Sequence, residues 1–217
     1  MNTKHKKPTL TKKQRHKLRV QQVRRQKIFL TCLFLLIVGC ILLRFSKFSG
    51  RQKETHQINA ACEAYRDEVS SEAAQYDMSD YVDLILAVMM QESSGQGTDP
   101  MQSSEGAYNT RYPQQPNGIT DPSYSISCGI QELKYALEKA VCTGPTDLSK
   151  IRLALQAYNF GADSYFAYLE ENGQTVWTAQ SAQAFAQMAS GGTQRDEDDP
   201  LHDPAGPWDY GDQYYPD

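Results

Sequence analysis

A mostly α-helical fold is what this sequence predicts, and three observations predict it. Apolar residues recur at three- and four-residue intervals in six segments, none shows the two-residue alternation of a half-buried strand, and one long irregular run divides the helical segments. The architecture that follows is a helical domain with a long loop, preceded by one transmembrane helix.

The N-terminal elements are set by charge and hydropathy. Residues 1–27 hold 11 of the chain's 22 Lys and Arg and no Asp or Glu. The run "IFLTCLFLLIVGCILL" (28–43) follows without a charge, and it reaches Phe45 if Arg44 snorkels. That is within the roughly 17 to 25 residues a membrane span needs. Positive charge ahead of the span places the N-terminus in the cytoplasm and the rest of the chain outside. The expected order is therefore a basic cytoplasmic segment (1–27), a transmembrane anchor (28–45) and a polar stalk (46–57). The motif "IVGC" (37–40) leaves a second possibility open, lipidation at Cys40, which tethers the domain to the same surface. From Arg44 onward there are 11 basic against 26 acidic residues, which argues against nucleic acid as a partner of the main domain.

The helical segments come next. "INAACEAYRDEVSSEAAQY" (58–76) places Ala61, Tyr65, Val69 and Ala73 four apart, and "MSDYVDLILAVMMQE" (78–92) begins with Ser79 as an expected N-cap. Together they predict two antiparallel helices. Gly, Pro, Asn, Asp and Ser then punctuate residues 95–124, and a loop of that length inside a compact domain is usually functional. Helical spacing returns over 125–141, 148–160, 162–171 and 178–189. The last 27 residues carry eight Asp or Glu, four Pro and four Gly, and predict a disordered acidic tail over 191–217. Three cysteines lie beyond the anchor. Cys128 and Cys142 either pair in an oxidising compartment or stay as free thiols, and no Cys/His spacing suggests zinc.

One residue stands out chemically. Val82, Ile85, Leu86 and Met89 share a helix face, and Glu92 continues it. A carboxyl that extends an apolar stripe at a helix C-terminus is partly desolvated and repelled by the helix dipole, and both effects raise its pKa. Such a group is suited to donate a proton to a leaving oxygen. "QESSG" then opens the long loop, "DPMQSSE" (99–105) and "ITDPSYSISCG" (119–129) follow, and a later helix ends in "QAYNFG" (156–161).

With these elements in this order, residues 58–190 resemble the lysozyme-like superfamily of goose-type lysozymes and soluble lytic transglycosylases. More closely, they are similar to the small membrane-tethered muramidases of Gram-positive bacteria, of the conjugative-element cell-wall hydrolase and vaccine-antigen-A type. The resemblance implies a lysozyme-like domain with Glu92 as catalytic acid and with Ser93, Met101, Gln102, Tyr158 and Asn159 contacting substrate or shaping its cleft. It implies peptidoglycan glycan strands as the partner, cleaved at the MurNAc–GlcNAc β-1,4 bond, with no metal or organic cofactor. Where lytic transglycosylases carry Gly-Leu before Met-Gln, this chain has Asp99-Pro100. A two-carboxylate glycosidase also needs a partner for Glu92, and Asp99, Glu105 and Asp121 in the loop are the candidates; each is equally suited to a turn. If none serves, Glu92 acts alone and leaves a 1,6-anhydro end, as a lytic transglycosylase does. A wall-binding surface protein with little turnover is the alternative outside catalysis.

Overall fold

The computed structural model describes residues 57–199 and 202–217. The basic segment, the anchor, the stalk up to His56 and Cys40 lie outside the described residues, within which no helix is long and apolar enough to cross a membrane.

The first helical segment forms two helices, α1 (Ala60–Glu63) and α2 (Arg66–Gln75). Asn59 caps α1 by accepting the Cys62 amide at 2.8 Å. A 3-10 turn (Ser79–Tyr81) leads into α3 (Val82–Ser93). Ser79 is thus inside the 3-10 turn and is not the cap expected of it; Tyr81 takes the N-cap position of α3 with no side-chain hydrogen bond.

Helix α4 (Pro122–Lys139) begins three residues earlier than its periodicity suggested. Asp121 accepts the Ser123 amide at 3.2 Å and Pro122 opens the first turn, where its missing N–H costs nothing. Three further helices follow, α5 (Leu148–Phe160), α6 (Ala162–Glu171) and α7 (Ala179–Ala189), the last opened by a capping box between Thr178 and Ser181. Helix α4 packs against α2, α5 and α6, while α3 packs against α1 and α2. Ile85, Leu86 and Met89 of α3 meet Ile126, Ile130 and Leu133 of α4 and Ile151, Ala154 and Ala157 of α5 in one fully apolar core.

At Gly129 the loop packs tightly on α4. A Cβ there would stand 2.6 Å from the Met101 side chain, so glycine is what lets the long loop lie against α4. The three described cysteines are free. Cys128 and Cys142, whose pairing the sequence left open, instead point their thiols at the carbonyls of Tyr108 and Gly144.

The acidic tail departs most from expectation. Residues 193–199 and 202–217 fold back onto the domain, with an isolated antiparallel bridge between Gln194 and Trp208. Its aromatic residues explain this better than its charge does. The Tyr210 ring sits 5.7 Å from Phe160 and 5.8 Å from Phe185, within a cluster that also holds Tyr165 and Tyr168. The Tyr210 hydroxyl donates to the Phe160 carbonyl at 3.1 Å, and the buried Gln213 side chain donates to the carbonyls of Trp208 and Tyr210. The acidic groups stay at the rim, where Asp217 pairs with Arg152 and Asp209 with Arg195.

Candidate active site

Glu92 is the penultimate residue of α3. The helix ends there because Ser94 turns left-handed at φ 56° and Gly95 follows at 73°. A Cβ on Gly95 would also lie 2.9 Å from the Cys62 backbone nitrogen, so glycine allows α1 to approach the end of α3. The half-buried Glu92 borders a cleft of about 620 Å³, together with Gln102, Glu105, Asn159 and the tail residues Asp212 and Tyr215.

The Tyr215 hydroxyl donates to Glu92 Oε1 at 2.6 Å. Burial raises the pKa of Glu92, the Tyr215 hydrogen bond works against that rise by stabilising the anion, and the charges of Asp99 and Asp212 add to it. Tyr215 itself, buried beside that carboxyl, is pushed far above the ordinary phenol range and so remains a donor.

The residues expected to bind substrate divide into two groups. Gln102 and Asn159 line the cleft. Gln102 is held in a left-handed conformation at φ 50°, with its amide donating to the Asp99 carbonyl at 3.0 Å and to Asn117 Oδ1 at 3.1 Å. Asn159 Oδ1 accepts the Asp212 amide at 2.8 Å, which joins the end of α5 to the tail. Gly211 makes that junction possible, since at φ 50° a Cβ would sit 2.5 Å from Asn159 Oδ1.

The other three are engaged inside the protein. Ser93 Oγ donates to the Pro100 carbonyl at 2.7 Å and accepts the Gly95 amide at 3.1 Å, tying the end of α3 to the loop. Met101 is a correction, because at 1% exposure its side chain belongs to the core and cannot meet a sugar. Its carbonyl accepts the Tyr158 hydroxyl at 3.0 Å and its amide donates to Ser125 Oγ at 3.1 Å. Tyr158 therefore holds the loop against α5.

The three candidate partner carboxylates also separate. Asp99, 1% exposed, accepts the Ser103 amide at 3.0 Å and the Ser125 hydroxyl at 2.6 Å on one oxygen, and the Ser104 amide at 3.1 Å and the Ser104 hydroxyl on the other. Four donors occupy the lone pairs of a carboxylate, so Asp99 organises the loop. Asp121 caps α4 and lines a different groove. Glu105 borders the Glu92 cleft.

Two residues were missed in the sequence. Tyr215 lay in the supposed tail, where the density of aromatic residues (Trp208, Tyr210, Tyr214, Tyr215) was the available signal. Glu132 lies on the face of α4 that carries Ser125, Gly129 and Ala136, a carboxyl interrupting a buried stripe just as Glu92 does. Its Oε1 is buried with no hydrogen-bond partner and rests where a Gly106 Cβ would be. Burial pushes its pKa up to about 7, an interaction with the Tyr108 backbone opposes this, and the charges of Asp99 and Glu92 add to the rise. Among the described residues no group of three His, Cys, Asp or Glu is gathered to hold a metal ion.

Comparison with known proteins places this arrangement among relatives. A family model described as Lysozyme-like matches residues 60–215, a range that takes in Glu92, the loop and Tyr215. The bifunctional muramidase/DL-endopeptidase CwlT of Bacillus subtilis is 38% identical over 120 residues, covering 55% of this chain and 32% of that protein. A pneumococcal vaccine antigen A homolog of Streptococcus pyogenes serotype M1 is 37% identical over 110 residues, 51% of this chain and 50% of that one. The crystal structure of a Staphylococcus aureus protein similar to lipoprotein, of the NLP/P60 family, superposes with a TM-score of 0.60 at 28% identity, over 74% of this chain and 51% of that chain. This chain thus spans about a third and a half of the length of these two curated relatives.

Proposed function

The chain belongs to the lysozyme-like family, and from that premise we propose that it is a peptidoglycan hydrolase, a muramidase cleaving the MurNAc–GlcNAc β-1,4 bond at the outer face of the cell membrane in wall remodelling. The observation that carries this function is the state of Glu92, half-buried beside an open cleft, raised in pKa and fixed by a tyrosine at one oxygen. With Tyr215 on Oε1, the second oxygen is left for the glycosidic oxygen of a bound strand. A protonated Glu92 gives its proton to that oxygen as the bond breaks, and the resulting carboxylate is stabilised by the Tyr215 donor. Gln102 and Asn159 at the cleft wall supply amide groups suited to sugar hydroxyls and acetamides. Ser93, Asp99 and Tyr158 hold the loop that presents Gln102. The N-terminal span would keep the domain at the membrane and raise its effective concentration at the inner face of the wall.

For hydrolysis the partner carboxylate is Glu105, the one of the three loop candidates that borders the cleft. A second mechanism is favoured by the engagement of Asp99 and by Asp121 lining a different groove: Glu92 acts alone, as in a lytic transglycosylase. Mass spectrometry of borohydride-reduced fragments from purified peptidoglycan separates these outcomes. Reducible MurNAc ends, lost in Glu92→Gln, identify the muramidase, whereas 1,6-anhydro ends identify the transglycosylase. If neither protein releases fragments, catalysis is refuted and a tethered wall-binding protein is left.

A further inference from the structure

A second groove, of about 630 Å³, is lined in part by the loop that also reaches the active-site cleft. Glu105 of that loop borders the cleft, and Tyr108 and Arg111 border the groove. Tyr108 follows Glu105 by three positions, so their Cα atoms are at most about 11 Å apart. Tyr76, just after α2, and Tyr124 of α4 also line it, with Glu72 and Asp121 at the same groove.

The groove is preformed. The Tyr124 hydroxyl accepts the Thr110 amide at 2.9 Å and donates to the Tyr108 carbonyl at 3.2 Å, which pins the loop to α4. The Tyr76 hydroxyl meets Ser127 Oγ at 3.0 Å across the α2–α4 contact. Arg111 lies over the Tyr124 ring, 4.6 Å from its centre, and Tyr112 packs on the same ring at 5.5 Å. Stacked in this way, the guanidinium keeps its planar fork of donors oriented and enters no ion pair or side-chain hydrogen bond among the described residues. A fork of this kind matches a carboxylate with two parallel hydrogen bonds. Glu72 and Asp121 offer the opposite charge in the same groove, where they suit an ammonium group.

We propose that this groove binds a short peptide carrying both a free carboxylate and an ammonium group, the stem peptide borne by the muramic acid of a strand seated in the cleft. Its identification with the wall peptide rests on the function proposed above; the zwitterionic chemistry of the site does not. The phenol rings flank the peptide backbone, Arg111 takes its carboxylate, and the acidic pair takes its amine. Because the loop is already pinned, binding orders little that was free beforehand.

Isothermal titration of the full chain in detergent with the sugar-free stem tripeptide tests the site without any turnover. Saturable binding is expected, weakened about tenfold or more by Arg111→Ala and not restored by Arg111→Lys, which carries the charge without the fork. Cleavage of peptide-free glycan by Arg111→Ala should match that of the parent. No saturable binding, or equal binding by Arg111→Ala, overturns the proposal. Equal affinity for an all-L peptide of the same charge overturns the assignment to the wall. A chain that binds the peptide yet releases no wall fragments sinks the hydrolase and leaves the groove standing; a chain that digests wall and ignores the peptide does the reverse.

Discussion

Replacing Glu132 by Gln keeps the shape of the side chain and removes its titration. In the folded protein this carboxyl is raised from the ordinary value of 4.5 to about 7, mainly by burial. At ~1.4 kcal/mol for each tenfold change in proton affinity, the displacement corresponds to about 3 kcal/mol. The sign follows from the direction. A carboxyl that holds its proton more tightly when folded stabilises the fold fully below the unfolded pKa, and that contribution disappears as pH rises from about 4.5 to about 7. Glu92, also raised, acts in the same sense, and Glu132 feels its charge, so the two titrate as a pair. The difference between parent and variant is therefore the quantity to measure. Urea unfolding of the full chain at a series of pH values should show the parent losing stability relative to Glu132→Gln by up to about 3 kcal/mol between about pH 4 and pH 8. Parallel curves across that range would mean that Glu132 is solvated in the folded protein, and the account of its burial would be wrong.

Tyr215→Phe removes the donor to Glu92 Oε1 while keeping the ring, so the pKa of Glu92 should rise further, because the anion loses a hydrogen bond that stabilises it. Carbon-13 NMR titration of Glu92 reads this directly, and an unchanged pKa would show that the contact does not persist in solution. Asp99→Ala strands two buried amides and two hydroxyls, and chemical denaturation should register a loss of about 3 kcal/mol or more. Gly129→Ala drives a methyl group into Met101, and a fall of about 1 to 3 kcal/mol in unfolding free energy is expected; a neutral effect would show that the loop yields.

Much of the fold is visible in periodicity, because a buried helix face needs apolar residues at fixed intervals whatever it packs against. Glu92 was visible for the same reason, as a charge placed at the end of such a face. The pattern at Glu132 was the same, but it lay mid-helix without a terminal motif to draw attention to it. Reading failed at the tail. Eight acidic residues over 27 positions lower mean hydropathy, yet Tyr210 and Gln213 are what decide its order, through contacts with Phe160, Phe185 and the tail's own carbonyls. The Tyr210 bond to Phe160 joins residues 50 positions apart, and local composition carries no record of it.

By itself, the sequence determined the helical class, the position of Glu92 at the end of α3, and the loop that follows it, since each depends on neighbours along one turn or one motif. Only the tertiary structure decided which carboxylates face the cleft. Asp99 and Glu105 stand six positions apart in the same loop, and the difference between a saturated buried anion and an open cleft wall lies in whether Ser103, Ser104 and Ser125 converge on the side chain. That convergence requires α4 to be in place against the loop. The tertiary structure likewise brought Tyr215 to Glu92 across 123 residues, because hydrogen bonds are made by groups that meet in space after the chain has packed.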